Sequence, residues 1–111
     1  MNVETTIAKK NISILHIEGK ILGNASDAFR KEMSEQLQTG RDKLVVDLMN
    51  VPLIDSSALG AIVITLKSCQ QSGGKLVLLN PQKAVREVLD VTKLSTVIEI
   101  YDTEEGACAA F

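Results

Sequence analysis

The sequence predicts an α/β fold: a single domain with a mixed, mostly parallel sheet, an N-terminal hairpin and about four helices packed against it. Three observations predict it. Runs rich in β-branched residues alternate with runs of helical period along almost the whole chain. The first two strand-like runs, residues 3–9 and 11–18, nearly adjoin, and Asn11 at their junction suggests a tight turn, which suits a hairpin; each later pair is separated by a helix that can carry a parallel crossover. The 111 residues suit one domain, and at 45% apolar but only 3% aromatic their core must be aliphatic.

Each element has a local reason. Ile12-Ser13-Ile14-Leu15-His16-Ile17 is mostly apolar and β-branched, and Gly19 ends that strand. Asn24 or Ser26 can cap a first helix that presents Ala25, Phe29, Met33 and Leu37 on one face, and Gly40 stops it. Residues 43–49 form a third strand. Its near-continuous run, Leu44-Val45-Val46-Asp47-Leu48-Met49, suits an inner position covered on both faces. A second helix runs from about Ser57 to Gln71, with Leu59, Ile62, Val63 and Leu66 in helical period, and Gly73-Gly74 stops it. Lys75 to Asn80 is a fourth strand, ended by Pro81. A short helix over about 82–91 turns Val85, Val88 and Leu89 inward. Val97 to Tyr101 is a last strand, and Thr103-Glu104-Glu105 opens a C-terminal helix, because threonine caps and acids favour the positive helix end.

Charge and composition exclude several functions. A formal net charge of −2, with Lys9-Lys10 as the only adjacent basic pair, argues against direct nucleic-acid binding. No apolar stretch approaches the roughly 20 residues of a membrane span, and the first residues lack the basic-then-apolar order of a secretory signal. No membrane role and a cytoplasmic location are the expectation. Cys69 and Cys108 form no CxxC, and with His16 the single histidine a zinc site has too few ligands, so neither metal nor cofactor is expected. No heptad or large apolar stripe fixes an oligomeric state.

The informative stretch is Val51-Pro52-Leu53-Ile54-Asp55-Ser56-Ser57-Ala58-Leu59-Gly60. It places two hydroxyls and a carboxylate where a buried strand hands over to a helix whose first N–H groups lack intrahelical partners. Such a junction suits an anion, and in particular a phosphate added to a serine. A serine hydrolase is disfavoured: His16 falls mid-strand and the G-x-S-x-G elbow is absent. An ordinary N-cap accounts for one polar residue, at most two, whereas three precede small Ala58 and flexible Gly60, which keep the first turn slim for an approaching partner. Asp55 is expected to cap or orient, and Leu59 to support the helix from below.

Asp55-Ser56-Ser57-Ala58-Leu59-Gly60 resembles the D-S-[ST]-[AG]-L-G signature of bacterial anti-sigma factor antagonists, the STAS domains. The resemblance covers nearly the whole chain, including Gly19, Val45-Val46-Asp47-Leu48, Pro52-Leu53-Ile54, Gly73-Gly74-Lys75-Leu76 and the stretch from Val85 to Leu94. It implies a single STAS-like domain over residues 1–111 and a non-enzymatic, phospho-switched binding protein. Ser56 matches the phosphorylated position, and Asp55, Ser56, Ser57, Ala58 and Gly60 would meet the partner. The implied partners are an anti-sigma factor with ATP-dependent serine kinase activity, which the unphosphorylated protein binds so that a sigma factor is released, and a PP2C-type phosphatase. The alternative implied is a structural STAS subunit of a sensory or transporter-associated complex, with no phosphorylated serine. One difference from many antagonists stands out: Lys20-Ile21-Leu22-Gly23-Asn24 carries no acid where they place one after the early glycine.

Overall fold

A computed structural model describes residues 1–111. The chain folds as β1 (Asn2–Ala8), β2 (Ile12–Glu18), α1 (Asn24–Gln38), β3 (Lys43–Asn50), α2 (Ser56–Gln71), β4 (Lys75–Leu79), α3 (Lys83–Val91), β5 (Ile100–Tyr101) and α4 (Glu104–Ala109), with short 3-10 turns at Lys9–Asn11 and Leu94–Thr96. The five strands lie in the order β1-β2-β3-β4-β5. The β1–β2 pair is antiparallel and all others are parallel, as the hairpin followed by three crossovers requires.

Alternation along the strands divides the core in two. Leu15, Ile17, Leu44, Val46, Leu48, Leu76 and Leu78 meet Phe29 and Met33 of α1, Leu59, Ile62 and Leu66 of α2, and Val85 and Leu89 of α3. On the opposite face Ile12, Ile14, Val45, Val77 and Leu79 meet Ala107 of α4 and the partly buried Ala8, Tyr101, Cys108, Ala110 and Phe111. The six-residue α4 covers part of that face. β3, the middle strand, is therefore covered on both faces along Leu44–Val46.

Gly74 allows close approach of two loops. A Cβ there would lie 2.1 Å from the Asp42 carbonyl oxygen, which accepts a 2.9 Å bond from the Lys75 amide. That contact sets β4 beside β3.

Three expectations need correction. The last strand pairs only at Ile100–Tyr101, not from Val97. Lys93 takes a left-handed φ of 66° and starts a 3-10 turn, which buries Ile98 and leaves Val97 62% exposed. Helix α1 is capped by neither Asn24 nor Ser26. Gly23, at φ 55°, occupies the cap position without a side-chain cap, and Ser26 is already inside the helix. The buried face of α1 is consequently Ser26, Phe29 and Met33, with Ala25 only half-buried. Helix α2 begins at Ser56, one residue ahead of the expected start.

Candidate functional site

The site begins where β3 leaves the sheet. Val51 and Ile54 turn into the core, while Pro52 and Leu53 between them face out. The segment is stitched to the β2–α1 loop: Ile21 N–H donates to the Leu53 carbonyl at 3.0 Å and Asp55 N–H donates to the Ile21 carbonyl at 3.2 Å. Two connections distant in sequence thus form one surface at the C-terminal ends of the inner parallel strands. Ligands and partners of open α/β sheets gather at such ends.

Asp55 organises this surface. Its backbone is extended, as an N-cap requires, and its Oδ1 accepts from the Ala58 amide at 2.9 Å. The same Oδ1 accepts from the Ser26 hydroxyl at 3.0 Å, and Oδ2 accepts from the Gly23 amide at 2.8 Å. One carboxylate thereby caps α2, holds the residue that opens α1 and satisfies a hydroxyl that is 3% exposed. The Gly23 and Ala58 amides, aided by Ser26 and the Ser57 amide, hold its carboxyl below the ordinary 3.8 against the opposing effect of desolvation.

Ser56, the first residue of α2, is exposed, and its hydroxyl makes no hydrogen bond within the chain. Ser57 is exposed beside it. Leu59, 7% exposed, packs in the main core and supports the helix as expected. Gly60 is exposed, and a Cβ there would meet nothing within 4 Å. Ala58 differs: it is fully buried, so its small size serves core packing and offers no side-chain surface to a visitor. The exposed apolar residues Leu22 and Leu53 flank the stitched loops.

This geometry gives a serine hydroxyl open to solvent at the positive end of a 16-residue helix, with the nearest acid tied inward. It can take a phosphoryl group without displacing any hydrogen bond of its own. His16 is no base for it. Its Nδ1 lies 2.8 Å from Asp47 Oδ2 and its Nε2 lies 3.1 Å from Thr6 Oγ1, among residues of the face opposite α2. Cys69 is buried, and desolvation followed by the Asp42 charge pushes its thiol up to about 11. Sequence reasoning found Asp55 and Ser56 but missed Gly23 and Ser26 as partners of the carboxylate. They lie 32 and 29 residues away, and no local pattern links them.

Comparison with known proteins places this geometry in a family. The STAS domain family model matches residues 4–107. A relative from Thermotoga maritima is 44% identical over 69 residues, a match that spans 62% of this chain and 61% of that relative's length. The anti-sigma F factor antagonist of Paenibacillus polymyxa is 30% identical over 99 residues, covering 88% of this chain and 85% of that protein. The crystal structure of the Thermotoga maritima protein TM1081 superposes with a TM-score of 0.91 at 32% identity, covering 97% of this chain and 92% of that one. No helix is long and apolar enough to cross a membrane.

Proposed function

The chain belongs to the STAS domain family, and we propose that it is a non-enzymatic anti-sigma factor antagonist switched by phosphorylation of Ser56. Unphosphorylated, it binds an anti-sigma factor that is also an ATP-dependent serine kinase, in the cytoplasm, and so releases a sigma factor. The kinase transfers the γ-phosphoryl group of ATP to Ser56 Oγ, ADP leaves, and the hydroxyl proton passes to a base of the kinase. A PP2C-type phosphatase hydrolyses the ester and restores the binding form.

The observation that carries this reading is the free Ser56 hydroxyl at a helix start whose own cap is supplied by Asp55. Phosphorylation adds about −1.5 to −2 charges. The positive helix end accommodates that charge, so the fold persists. At a desolvated interface the same charge costs several kcal/mol unless the partner supplies a cation, and every ~1.4 kcal/mol is about tenfold in affinity. Binding is therefore lost while structure is kept.

Intact-mass spectrometry after incubation with an anti-sigma kinase and ATP tests it. One phosphate is expected on the wild-type chain and none on Ser56→Ala. The phosphorylated chain should then lose that kinase in a pull-down. Undiminished labelling of Ser56→Ala would remove the assigned site. A complex whose affinity ignores the phosphate would make the chain a structural subunit instead.

A further inference from the structure

The two edges of the sheet are built differently. β5 contributes only two residues, and such a short edge gives little template for further pairing. β1 is the opposite edge, seven residues long, Asn2–Ala8, and pairs with β2 in unbroken register from Asn2↔Glu18 to Ala8↔Ile12. It contains no proline, no lysine and no bulge, and its one charged residue is Glu4. No strand or helix pairs with its outer side. Natural edge strands of this length are normally blunted by such devices. Ile7, whose side chain lies on the same face of the sheet as Val3, is 48% exposed.

We propose that a second copy of this chain pairs with β1, antiparallel, about a two-fold axis at Thr5, joining two five-stranded sheets into one continuous sheet. The side chains select that register. A two-fold axis normal to the sheet keeps both sets of helices on one side, so residues on the same face must oppose each other. An axis at Glu4 would set two carboxylates directly opposite, which is unfavourable. An axis at Thr6 would set exposed Ile7 against Thr5. The axis at Thr5 sets Thr5 against Thr5, Glu4 against Thr6, and Val3 against Ile7 twice, so each Ile7 gains an apolar cross-strand neighbour. Val3 already packs against the main core, so the pair extends that core across the axis. The contact is small beside the ~1,600 Å² of a standard stable interface, so the dimer is reversible and forms at high protein concentration. Neither Ser56 nor the β2–α1 loop belongs to β1, so this pairing stands or falls independently of the phosphorylation reading.

Sedimentation equilibrium of the full chain tests the association, and cysteine scanning tests the register. The apparent mass should rise toward twice the monomer with concentration. Ile7→Lys should weaken the association about tenfold, since it removes two apolar cross-strand pairs. Its melting temperature serves as the control for folding. In a Cys108→Ser background, Thr5→Cys should form a disulfide dimer under mild oxidation, because residues opposed across such an axis lie within disulfide reach. Glu4→Cys, opposed to Thr6, should not. A chain that stays monomeric to about 1 mM overturns the proposal. So does a dimer indifferent to Ile7→Lys, or efficient cross-linking through Glu4→Cys or Thr6→Cys in place of Thr5→Cys.

Discussion

Two serines stand beside one carboxylate and end in opposite states. Ser26 is 3% exposed and gives its hydroxyl to Asp55 Oδ1, across 29 residues of sequence. Ser56 follows Asp55 directly, is exposed, and gives its hydroxyl to nothing. The difference follows from where the carboxylate points. As the cap of α2 it turns to the Ala58 amide, three residues on, and to the loop that opens α1, and away from its immediate neighbour. A hydroxyl that is buried must be paired, and Ser26 is. A hydroxyl left at the rim is free of partners, and its modification breaks no hydrogen bond of the fold.

The largest expected effect comes from removing what the two serines share. Asp55→Ala deletes the cap of α2 and leaves the Gly23 amide, the Ala58 amide and the buried Ser26 hydroxyl without their acceptor. The melting temperature should fall by roughly 5–10 °C. Hydrogen exchange should quicken at Gly23 as well as at Ala58, because one group holds both. A loss confined to α2 would show that the two loops are held together by Ile21, Leu53 and the Asp55 amide alone.

The acid limb of stability sharpens the same point. The Asp55 carboxyl sits below its ordinary 3.8 in the folded chain, held there first by the Gly23 amide and then by the Ala58 amide. The unfolded chain therefore binds the proton at higher pH than the folded one. The stabilisation is complete above the unfolded value and fades as pH falls through the folded one. Asp55→Asn, which has no carboxylate to titrate, should show a shallower loss of stability below about pH 4 than the wild type. Equal acid limbs in denaturant titrations would assign the hydrogen bonds no part in acid unfolding.

Ser26→Ala should act next in size, costing about 1 kcal/mol in chemical denaturation. Asp55 then keeps both amide donors, so the cap survives. Under the proposed function, binding to an anti-sigma factor should survive Ser26→Ala, because Ser56 is intact. If Ser26→Ala abolished binding, the buried serine would belong to the functional surface and the two would no longer differ in kind.

Much of this was legible in the sequence, and what was not has a physical cause. The strand-to-helix handover at Asp55-Ser56 was readable because both its signals are local, an apolar run and a cap residue. The near-continuous apolar run from Leu44 to Met49 predicts an inner strand, and β3 lies in the middle of the sheet. The start of α1 was misread because Asn24 and Ser26 are good caps by type, whereas Gly23 is held by Asp55 from the far side of β3. Local propensity carries no record of an acceptor 32 residues away. The shortened β5 was hidden for a similar reason: Val97 and Ile98 have strand character, but the left-handed Lys93 sends them round a turn and buries Ile98. The small size of Ala58, which keeps the first turn slim, also lets its side chain pack in the core beneath α2, a contact no local pattern announces.

The smallest effect on stability is expected at the residue to which the proposed function assigns the switch. Ser56→Ala removes a hydroxyl with no partner from an exposed first turn, so stability should change by no more than about 0.5 kcal/mol. Phosphorylated Ser56 should behave almost as quietly in the isolated chain. The helix end attracts the phosphate by roughly 0.3–1 kcal/mol at an exposed position, and the neighbouring Asp55 carboxylate opposes it with a similar screened repulsion. These contributions offset, so calorimetry should find the phosphorylated and unmodified chains melting within a few degrees of each other, while under the proposed function only the unmodified one binds the partner. A phosphorylated chain that melts far lower would mean the ester has pulled the Ala58 amide away from Asp55 and loosened Ser26 with it. The switch would then work by unfolding, and the exposed serine and the buried one would be parts of a single structural element.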